Sequence, residues 1–313
     1  MTTAPKKITI LTPCFNEAGN LLPLHDRVRL AMAAVAGVAF DHLFIDNAST
    51  DGTIAELRKL AAMTPNVRVI LNNRNFGHVR SPYHGLLQAG GDAVVVIAAD
   101  LQDPPELLPE FIRLWLGGSD VVLGQKASSA ESAVFFGLRK LYYRLVRKLA
   151  DVDLIENVTG FGLYSRKVIE EFRGLDETYP YVRGLVSELG YEPALVTYQQ
   201  PLRKRGITKN NFYTLYDVAM LGITSHSRVP LRLATMVGFV ASASSFALGI
   251  VYLAYKLVFW DRFALGVAPV VIGLFFFASV QLFFIGVIGE YVGAIYIRVN
   301  RRPLVIERER LNF

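Results

Sequence analysis

Residues 93–106 read AVVVIAADLQDPPE, a run of small and branched apolar residues followed abruptly by polar ones. The apolar part, Ala93–Ala99, has the length and composition of a buried strand in a parallel sheet. Asp100 and Gln102 follow it two residues apart, and the pair Pro104-Pro105 suits the first turn of a helix. This order indicates a strand that delivers oxygen ligands to a loop and then leads into a helix.

The same alternation extends over residues 6–125 and predicts an α/β domain. The predicted strands are Ile8–Leu11, His42–Asp46, Val67–Leu71, Ala93–Ala99 and Asp120–Leu123, and the predicted helices are Asn20–Ala36, Thr53–Met63, Ser81–Ala89 and Pro105–Leu116. Strands that alternate with helices form βαβ units, and therefore a mainly parallel sheet flanked by helices. Such sheets bind ligands beyond the carboxyl ends of their strands. This rule selects three loops: Thr12–Glu17, Asp46–Asp51 and Asp100–Asp103.

Two long apolar runs follow this domain. Residues 233–255 carry no charge, and residues 263–297 are interrupted only by Gln281 and Glu290. Each run exceeds the about 20 apolar residues that cross a bilayer. Because arginines flank the outer ends of both runs, the positive-inside rule predicts a hairpin with both termini in the cytoplasm.

The expected organisation has three parts. Residues 1–228 form a cytoplasmic domain, residues 229–297 form two transmembrane helices, and residues 298–313 form a cytoplasmic tail. Within the first part, about 131–150 and 211–227 are predicted to be amphipathic helices on the membrane surface; in the first of them, basic residues are interleaved with apolar ones. The chain is therefore expected to be a multi-pass integral membrane protein.

Composition limits the partners. Hydrophobic residues make up 52% and charged residues 19%, with a mean hydropathy of +0.33, which excludes a disordered chain. A net charge of +6 favours anionic partners such as phospholipid headgroups or phosphorylated substrates. No base-reading motif accompanies that charge, so no nucleic acid partner is expected. Cys14 is the single cysteine, which excludes an intramolecular disulfide and a multi-cysteine zinc site.

Taken alone, the polar residues of the three loops allow two interpretations. The side-chain oxygens of Asp100 and Gln102 suit Mg²⁺ or Mn²⁺, completed by substrate phosphates. Alternatively, the loop is only a polar connection in which Asp103 caps the next helix. Asp46 suits a base N–H or a ribose hydroxyl, and Phe15 suits either stacking on a base or a core contact.

Three motifs follow one another along the chain, each after a predicted strand. ILTPCFNE at 10–17 is similar to V-P-x-Y-N-E, DNASTDGT at 46–53 to D-D-x-S-x-D-G-T, and AADLQ at 98–102 to D-A-D-L-Q. Further matches lie at 75–77, 157–167 and 205–209. Together they resemble the family 2 glycosyltransferases, which have the nucleotide-diphospho-sugar-binding GT-A fold. With the hairpin, the chain is most similar to the polyprenyl-phosphate branch, which includes dolichol-phosphate mannose synthases and bacterial undecaprenyl-phosphate glycosyltransferases.

The resemblance implies a role for each matching residue. The nucleotide-sugar would be held by Pro13, Phe15, Glu17 and Asp46; the metal and the catalysis would depend on Asp100 and Gln102; the acceptor or donor phosphates would be bound by Lys126, Arg139, Arg205 and Lys209. Arg205 and Lys209 lie in a segment expected to close over the site. Each of these four cations is alternatively a solvated surface charge.

Two departures from the family pattern stand out. Ala98 occupies the position of the first aspartate of D-A-D, so one metal-side carboxylate is missing. Processive polysaccharide synthases carry Q-x-x-R-W, whereas residues 200–204 read QPLRK and lack the tryptophan. The second departure separates this chain from the polymer-forming enzymes.

The resemblance implies a complete reaction. One sugar is transferred with inversion from a nucleotide-sugar, UDP being favoured over GDP, to undecaprenyl or dolichyl phosphate at the cytoplasmic membrane face. Mg²⁺ or Mn²⁺ is the implied cofactor and the lipid bilayer an implied partner; a homo-oligomer is left open. The alternatives are a glycosyltransferase acting on another membrane lipid, or a degenerate membrane scaffold suggested by Ala98.

Overall fold

The computed structural model describes residues 5–127, 158–200 apart from 176, 178, 179 and 181, 229–259, 267–299 and 303–313. The predicted amphipathic helices at 131–150 and 211–227 lie outside the described residues, as do Arg139, Arg205 and Lys209.

Strands and helices alternate as the sequence pattern predicts. The strands are β1 Lys6–Cys14, β2 Val38–Asp46, β3 Val67–Asn72, β4 Ala93–Val96, β5 Val121–Lys126, β6 Val158–Ser165, β7 Ala194–Tyr198 and β8 Glu307–Leu311. The helices are α1 Leu21–Ala33, α2 Thr53–Met63, α3 Gly77–Gln88, α4 Leu108–Leu116, α5 Arg166–Gly174, α6 Val182–Glu188, α7 Val229–Val258 and α8 Val267–Val299, and a 3₁₀ turn, Pro105–Leu107, precedes α4.

All eight strands join one sheet in the order β7-β5-β6-β4-β1-β2-β3-β8. The central strands β4, β1, β2 and β3 are parallel to one another. β6 runs antiparallel between β4 and β5, so β4 and β5 point the same way. The predicted α/β fold, with its mainly parallel sheet flanked by helices, is confirmed.

Alternation of side chains along the strands builds a core on each face of the sheet. Ile8 and Ile10 of β1 pack on one face with apolar residues of α1 and α4. Leu11, one position further, lies on the other face with residues of α3, α5 and α6. This period of two is what a strand buried on both faces requires. Gly91, before β4, leaves no room for a side chain, because a Cβ there would lie 2.6 Å from the backbone nitrogen of Thr9.

β4 is shorter than predicted. It ends at Val96, although the apolar run continues to Ala99. The Ala98 N–H donates to the carboxylate of Asp103 at 3.1 Å. The strand therefore ends before the apolar run does, because the Ala98 N–H donates to the Asp103 side chain instead of to a neighbouring strand.

The predicted tail contains a strand that was not predicted from the sequence. β8 pairs antiparallel with β3 and covers the edge of the sheet, with Val69 opposite Leu311 and Asn72 opposite Glu307. Its sequence, ERERL, is mostly charged and gives no apolar strand signal. Residues 307–311 therefore belong to the α/β domain in space, although the two long apolar helices separate them from it along the chain.

α7 and α8 coincide with the two apolar runs. They have 30 and 33 residues, and each contains an 18-residue window apolar enough to cross a membrane, Ala234–Val251 and Phe276–Gly293. Neither window is buried inside the protein. The predicted pair of long apolar helices is confirmed, and their exposed surfaces suit association with a membrane.

A groove of about 640 Å³ lies between α7 and α8. Small residues of α7, including Ala234, Gly238 and Ala241, form one wall, and the bulkier Phe284 and Ile288 of α8 form the other. Because a small side chain leaves the space next to the helix backbone open, the two helices enclose an apolar groove.

Candidate functional site

Three loops meet at the carboxyl ends of adjacent parallel strands. β1 lies between β2 and β4, and its last residue, Cys14, is paired with Asp46, the last residue of β2. On the other side, the Ile97 N–H donates to Leu11 O at 2.9 Å, which places the start of the third loop beside β1. The predicted meeting of these loops at one edge of the sheet is confirmed. We call this edge the site edge.

Each of the three loops contains a residue in a left-handed backbone conformation. Among the described residues, four non-glycine residues have positive φ, and three lie here: Asn16 at 58°, Ala48 at 60° and Leu101 at 60°. Asparagine tolerates this conformation, whereas Ala48 and Leu101 carry a steric cost. Backbone strain of this kind is concentrated at functional sites, which supports the assignment of the edge.

Asp46 lies beneath its loop. Its side chain is fully buried, and its two oxygens accept hydrogen bonds from the Ser49 N–H, at 2.9 Å, and from the Ser49 hydroxyl. Burial raises the pKa of Asp46, and the hydrogen bonds from Ser49 partly oppose this effect. The carboxylate therefore shapes the 46–49 turn, and its predicted contact with a nucleotide stays a prediction.

The first and second loops are tied together. The Asn16 N–H donates to Ser49 Oγ at 2.9 Å, and the Thr50 N–H donates to Asn16 Oδ1 at 2.8 Å. The Glu17 N–H donates to Thr53 Oγ1 at 2.9 Å, at the start of α2. These bonds give the region around Glu17 a defined position beside the second loop. Pro13 and Phe15, the other predicted nucleotide contacts, are partly exposed in the same segment.

The third loop presents two oxygen-bearing side chains and buries a third. Asp100 and Gln102 are both partly exposed, and the Gln102 N–H donates to Asp100 Oδ1 at 3.1 Å. Asp103 is only 5% exposed. Its oxygens accept from the Ala98 N–H at 3.1 Å and from the Tyr198 hydroxyl at 3.0 Å. Burial raises the pKa of Asp103 to about 6.

These contacts decide the role of Asp103. Its carboxylate makes no capping bond to the following helix, and the 3₁₀ turn begins instead after Pro104. The alternative in which Asp103 caps that helix is therefore wrong. Asp103 holds the loop from below and joins it to the end of β7 through Tyr198.

The donor set of the third loop fits one kind of cation. Among the described residues, no three His, Cys, Asp or Glu side chains cluster in a way that could hold a metal ion. Asp100 and Gln102 supply hard oxygen atoms from one side only. Mg²⁺ typically binds through one or two carboxylates, substrate phosphates and water. The residues present therefore fit a cation that is completed by substrate phosphates.

Lys126 ends β5, at the same edge of the sheet as the third loop. Its positive charge lowers the pKa of Asp103, against the larger effect of burial. Of the predicted site residues, the described ones all belong to the site edge: Pro13, Phe15, Glu17, Asp46, Asp100, Gln102 and Lys126. Their predicted roles remain predictions.

The role of Asn47 was not predicted from the sequence. Its side chain is buried, donates to Asn75 Oδ1 at 2.9 Å, and accepts from the Phe76 N–H at 2.9 Å. It also accepts from Asn72 Nδ2 at 3.2 Å. Asn47 thereby fixes the β3–α3 connection against the second loop. The match at 75–77 was the available signal, but only the fold reveals its partner.

Comparison with known proteins agrees with this geometry. The profile described as Glycosyl transferase family 2 matches residues 9–173, and that described as GtrB C-terminal hairpin matches residues 229–295. The "Uncharacterized glycosyltransferase YkcC" of Bacillus subtilis is 35% identical over 95% of this chain and 92% of its own length. The "SfII prophage-derived bactoprenol glucosyl transferase" of Shigella flexneri is 35% identical over 96% of this chain and 97% of its own.

A third relative, the "Bactoprenol glucosyl transferase" of Shigella phage SfV, is 34% identical over 97% of this chain and 99% of its own length. The first profile covers the three loops of the site edge, and the second covers most of α7 and α8. The chain belongs to glycosyl transferase family 2 and carries the C-terminal hairpin of the GtrB type.

Proposed function

We propose that this enzyme transfers a single sugar from a nucleotide-diphospho-sugar to a polyprenyl phosphate. The observation that carries the proposal is the combination, in one chain, of the strained family 2 loops at the site edge with the GtrB-type hairpin. Relatives that match nearly the whole chain are named bactoprenol glucosyl transferases, and bactoprenol is a polyprenyl lipid. Transfer to a water-soluble acceptor would not require two long apolar helices in the enzyme.

The donor is assigned to the loops after β1, β2 and β4. Pro13 lies near the end of β1, and Phe15 and Glu17 lie on the loop that follows it, where partly exposed side chains are available to the nucleoside. Asp46 supports this pocket from below through Ser49. A UDP-sugar is proposed in preference to a GDP-sugar.

Asp100 and Gln102 are assigned to the donor diphosphate through a divalent cation, Mg²⁺ or Mn²⁺. When bound, such a cation would offset the charge that develops on the leaving nucleoside diphosphate. Asp103 keeps both ligands in place by holding the Ala98 N–H beneath the loop. The loss of the carboxylate at position 98 leaves Asp100 as the carboxylate of this motif that remains partly exposed.

The acceptor needs placement more than activation. A phosphomonoester has a second pKa of about 6, so its oxygen is already largely ionised near neutral pH. Rate enhancement then comes from holding this oxygen in line with the anomeric carbon. Direct displacement of this kind inverts the anomeric configuration. Lys126, at the site edge, is assigned to phosphate contact, together with Arg139, Arg205 and Lys209.

The groove between α7 and α8 is proposed to hold the first part of the prenyl chain. Its α7 wall runs from Leu231 to Ala241, about 15 Å along the helix, or roughly half of a bilayer core of about 30 Å. Along the chain, Leu231 lies near the start of α7, which follows the α/β domain, and Ile288 lies in the half of α8 that leads to β8. The groove therefore opens in the leaflet that faces this domain.

Both termini are proposed to be cytoplasmic. Arginines flank the outer ends of the hairpin, in agreement with the positive-inside rule. Because β8 pairs with β3, the chain must return after α8 to the side on which the α/β domain lies.

A donor-by-acceptor screen tests the function. The purified protein is incubated with radiolabelled UDP- and GDP-sugars, each with undecaprenyl phosphate, dolichyl phosphate or a diacylglycerol, in the presence of Mg²⁺. Transfer to a polyprenyl phosphate is expected. Transfer to diacylglycerol alone would assign the enzyme to another lipid class. Absence of both transfer and donor hydrolysis under all conditions would favour the scaffold interpretation.

A further inference from the structure

The point where the tail rejoins the sheet fixes which edge of the domain adjoins the second apolar helix. Because β8 is antiparallel to β3, its first residue, Glu307, lies opposite Asn72 at the carboxyl end of β3. The Asn73 N–H donates to Ile306 O at 2.9 Å, and the guanidinium of Arg80 donates to Pro303 O. The chain therefore arrives from α8 at the site edge and not at the opposite edge.

The connection between α8 and this contact is short. α8 ends at Val299, and Pro303 is four residues further. Four residues span at most roughly 14 Å when fully extended. The apolar window of α8 ends at Gly293, six residues before Val299, which corresponds to about 9 Å of helix. If the window fills the hydrocarbon core, Val299 lies in or near the headgroup layer, and Pro303 cannot be far above it.

Residues 73–80, which we call the β3–α3 segment, contact this short connection at both of their ends. The segment reads NRNFGHVR and contains two arginines, one histidine and no acidic residue. Arg74 and His78 are exposed, whereas Phe76 is buried. The Arg74 guanidinium carbon lies 4.1 Å from the centroid of the Phe76 ring, which holds the charge close to the surface of the segment.

We propose that the β3–α3 segment rests on the membrane surface, where Arg74 and His78 face anionic phospholipid headgroups. The inference rests on the proposed membrane crossing of α7 and α8, but not on the identity of the sugar or of the acceptor. In this placement, the site edge faces the bilayer. The Asn47 network then connects the headgroup contact directly to the second loop of the site.

Site-directed spin labelling tests the placement in the full-length protein. Cys14 is 3% exposed, and burial raises the pKa of its thiol, so it should label slowly; unmodified protein measures that background. Nitroxides are attached at H78C, M63C and G286C in nanodiscs that contain phosphatidylglycerol and a lipid carrying a Ni²⁺ chelate on its headgroup. Met63 is 81% exposed and precedes β3, so it lies roughly 17 Å further from the site edge.

The expected result is strong relaxation by surface Ni²⁺ at H78C and weak relaxation at M63C. The label at G286C, inside the apolar window of α8, should instead be relaxed by oxygen dissolved in the bilayer. If G286C is accessible only to water, the proposed membrane crossing fails. If G286C lies in lipid while H78C behaves as M63C does, the crossing stands and the present inference is overturned.

A charge variant tests the chemistry of the contact. Arg74→Gln, combined with H78C, should lower the ratio of docked to undocked protein in phosphatidylglycerol about fivefold, which corresponds to roughly 1 kcal/mol for one basic residue at an anionic surface. The same substitution should have no effect in neutral phosphatidylcholine. Arg113→Gln, on α4 and also exposed, is the matched control and should leave the label unaffected.

Binding of UDP with Mg²⁺ to the same variants separates the two possible anions. If Arg74→Gln weakens UDP binding and leaves the label relaxation unchanged, Arg74 belongs to the donor site and the headgroup assignment is wrong. Unchanged UDP binding together with reduced docking supports the proposal.

Discussion

Acidification from about pH 7.5 to about pH 5.5 is expected to destabilise the α/β domain by up to about 2.7 kcal/mol through His25 and His42. His25 of α1 and His42 of β2 are 3% and 0% exposed. Their Nδ1 atoms lie 3.0 Å apart, and His42 Nε2 lies 2.9 Å from Thr12 Oγ1. A 3.0 Å contact between the two Nδ1 atoms requires that one donates and the other accepts, so the two rings cannot both be protonated, and burial favours the neutral form of each.

The magnitude follows from the proton balance. Burial lowers the pKa of both rings; the pKa of His25 is also raised by Asp26 and lowered by Arg29, and that of His42 is further lowered by His25. A histidine with a lowered native pKa contributes stability above its unfolded pKa of about 6.5 and loses it as the pH falls. Over this interval, protonation stabilises the unfolded state by about 1.4 kcal/mol per histidine. The free energy of unfolding falls by the full amount if the native rings stay neutral.

Urea denaturation of the detergent-solubilised protein measures this effect through tryptophan fluorescence, to which Trp115, in the same core cluster as residues of α1, contributes. The free energy of unfolding at the two pH values is compared between wild type and His25→Asn/His42→Asn. Other titrating groups are common to both proteins and cancel in the difference. His78→Asn, at an exposed position, is the control and should follow wild type. An equal pH dependence in wild type and the double variant would refute the reasoning.

Four further outcomes are expected. Asp100→Asn should lower turnover by orders of magnitude and weaken Mn²⁺ binding measured by electron paramagnetic resonance in the presence of UDP, while circular dichroism stays unchanged; full activity in EDTA would contradict the metal role. Asp103→Ala removes the carboxylate that accepts from the Ala98 N–H and from the Tyr198 hydroxyl, and should cost about 2–4 kcal/mol, against about 1 kcal/mol for Tyr198→Phe; equal melting temperatures of the two variants would argue against this arrangement. Gly238→Leu should raise the KM for polyprenyl phosphate and leave UDP binding unchanged, whereas Gly249→Leu, also on α7 with open space around its Cβ but outside the groove, should do neither. A reporter fused after Phe313 should be active only as a cytoplasmic reporter, because β8 belongs to the sheet of the α/β domain; activity on the opposite face of the membrane would overturn the topology.

Much of the fold was predictable because it depends on local periodicity. α2 was predicted as Thr53–Met63, its observed bounds, since its apolar residues recur at helical spacing between clear breaks. β1 and β2 were predicted too short at their amino ends. α3 begins at Gly77, four residues earlier than predicted, where the Gly77 N–H donates to Asn75 Oδ1 at 2.8 Å. This bond depends on the conformation of the Asn75 side chain, and the spacing of apolar residues contains no information about that conformation.

The sequence by itself determined the alternation of strands and helices, the two apolar helices and the three polar loops. Each of these features depends on the composition and spacing of residues that are close together in the chain. Only the tertiary structure decided that Asp46 and Asp103 lie beneath their loops, that Asn47 holds the β3–α3 connection, and that β8 closes the sheet. The physical reason is distance along the chain. Tyr198 donates to Asp103 across 95 residues, and Arg58 binds Glu309 across 251. A partner that far away leaves no local trace, so its contact exists only after the sheet has brought the two segments together.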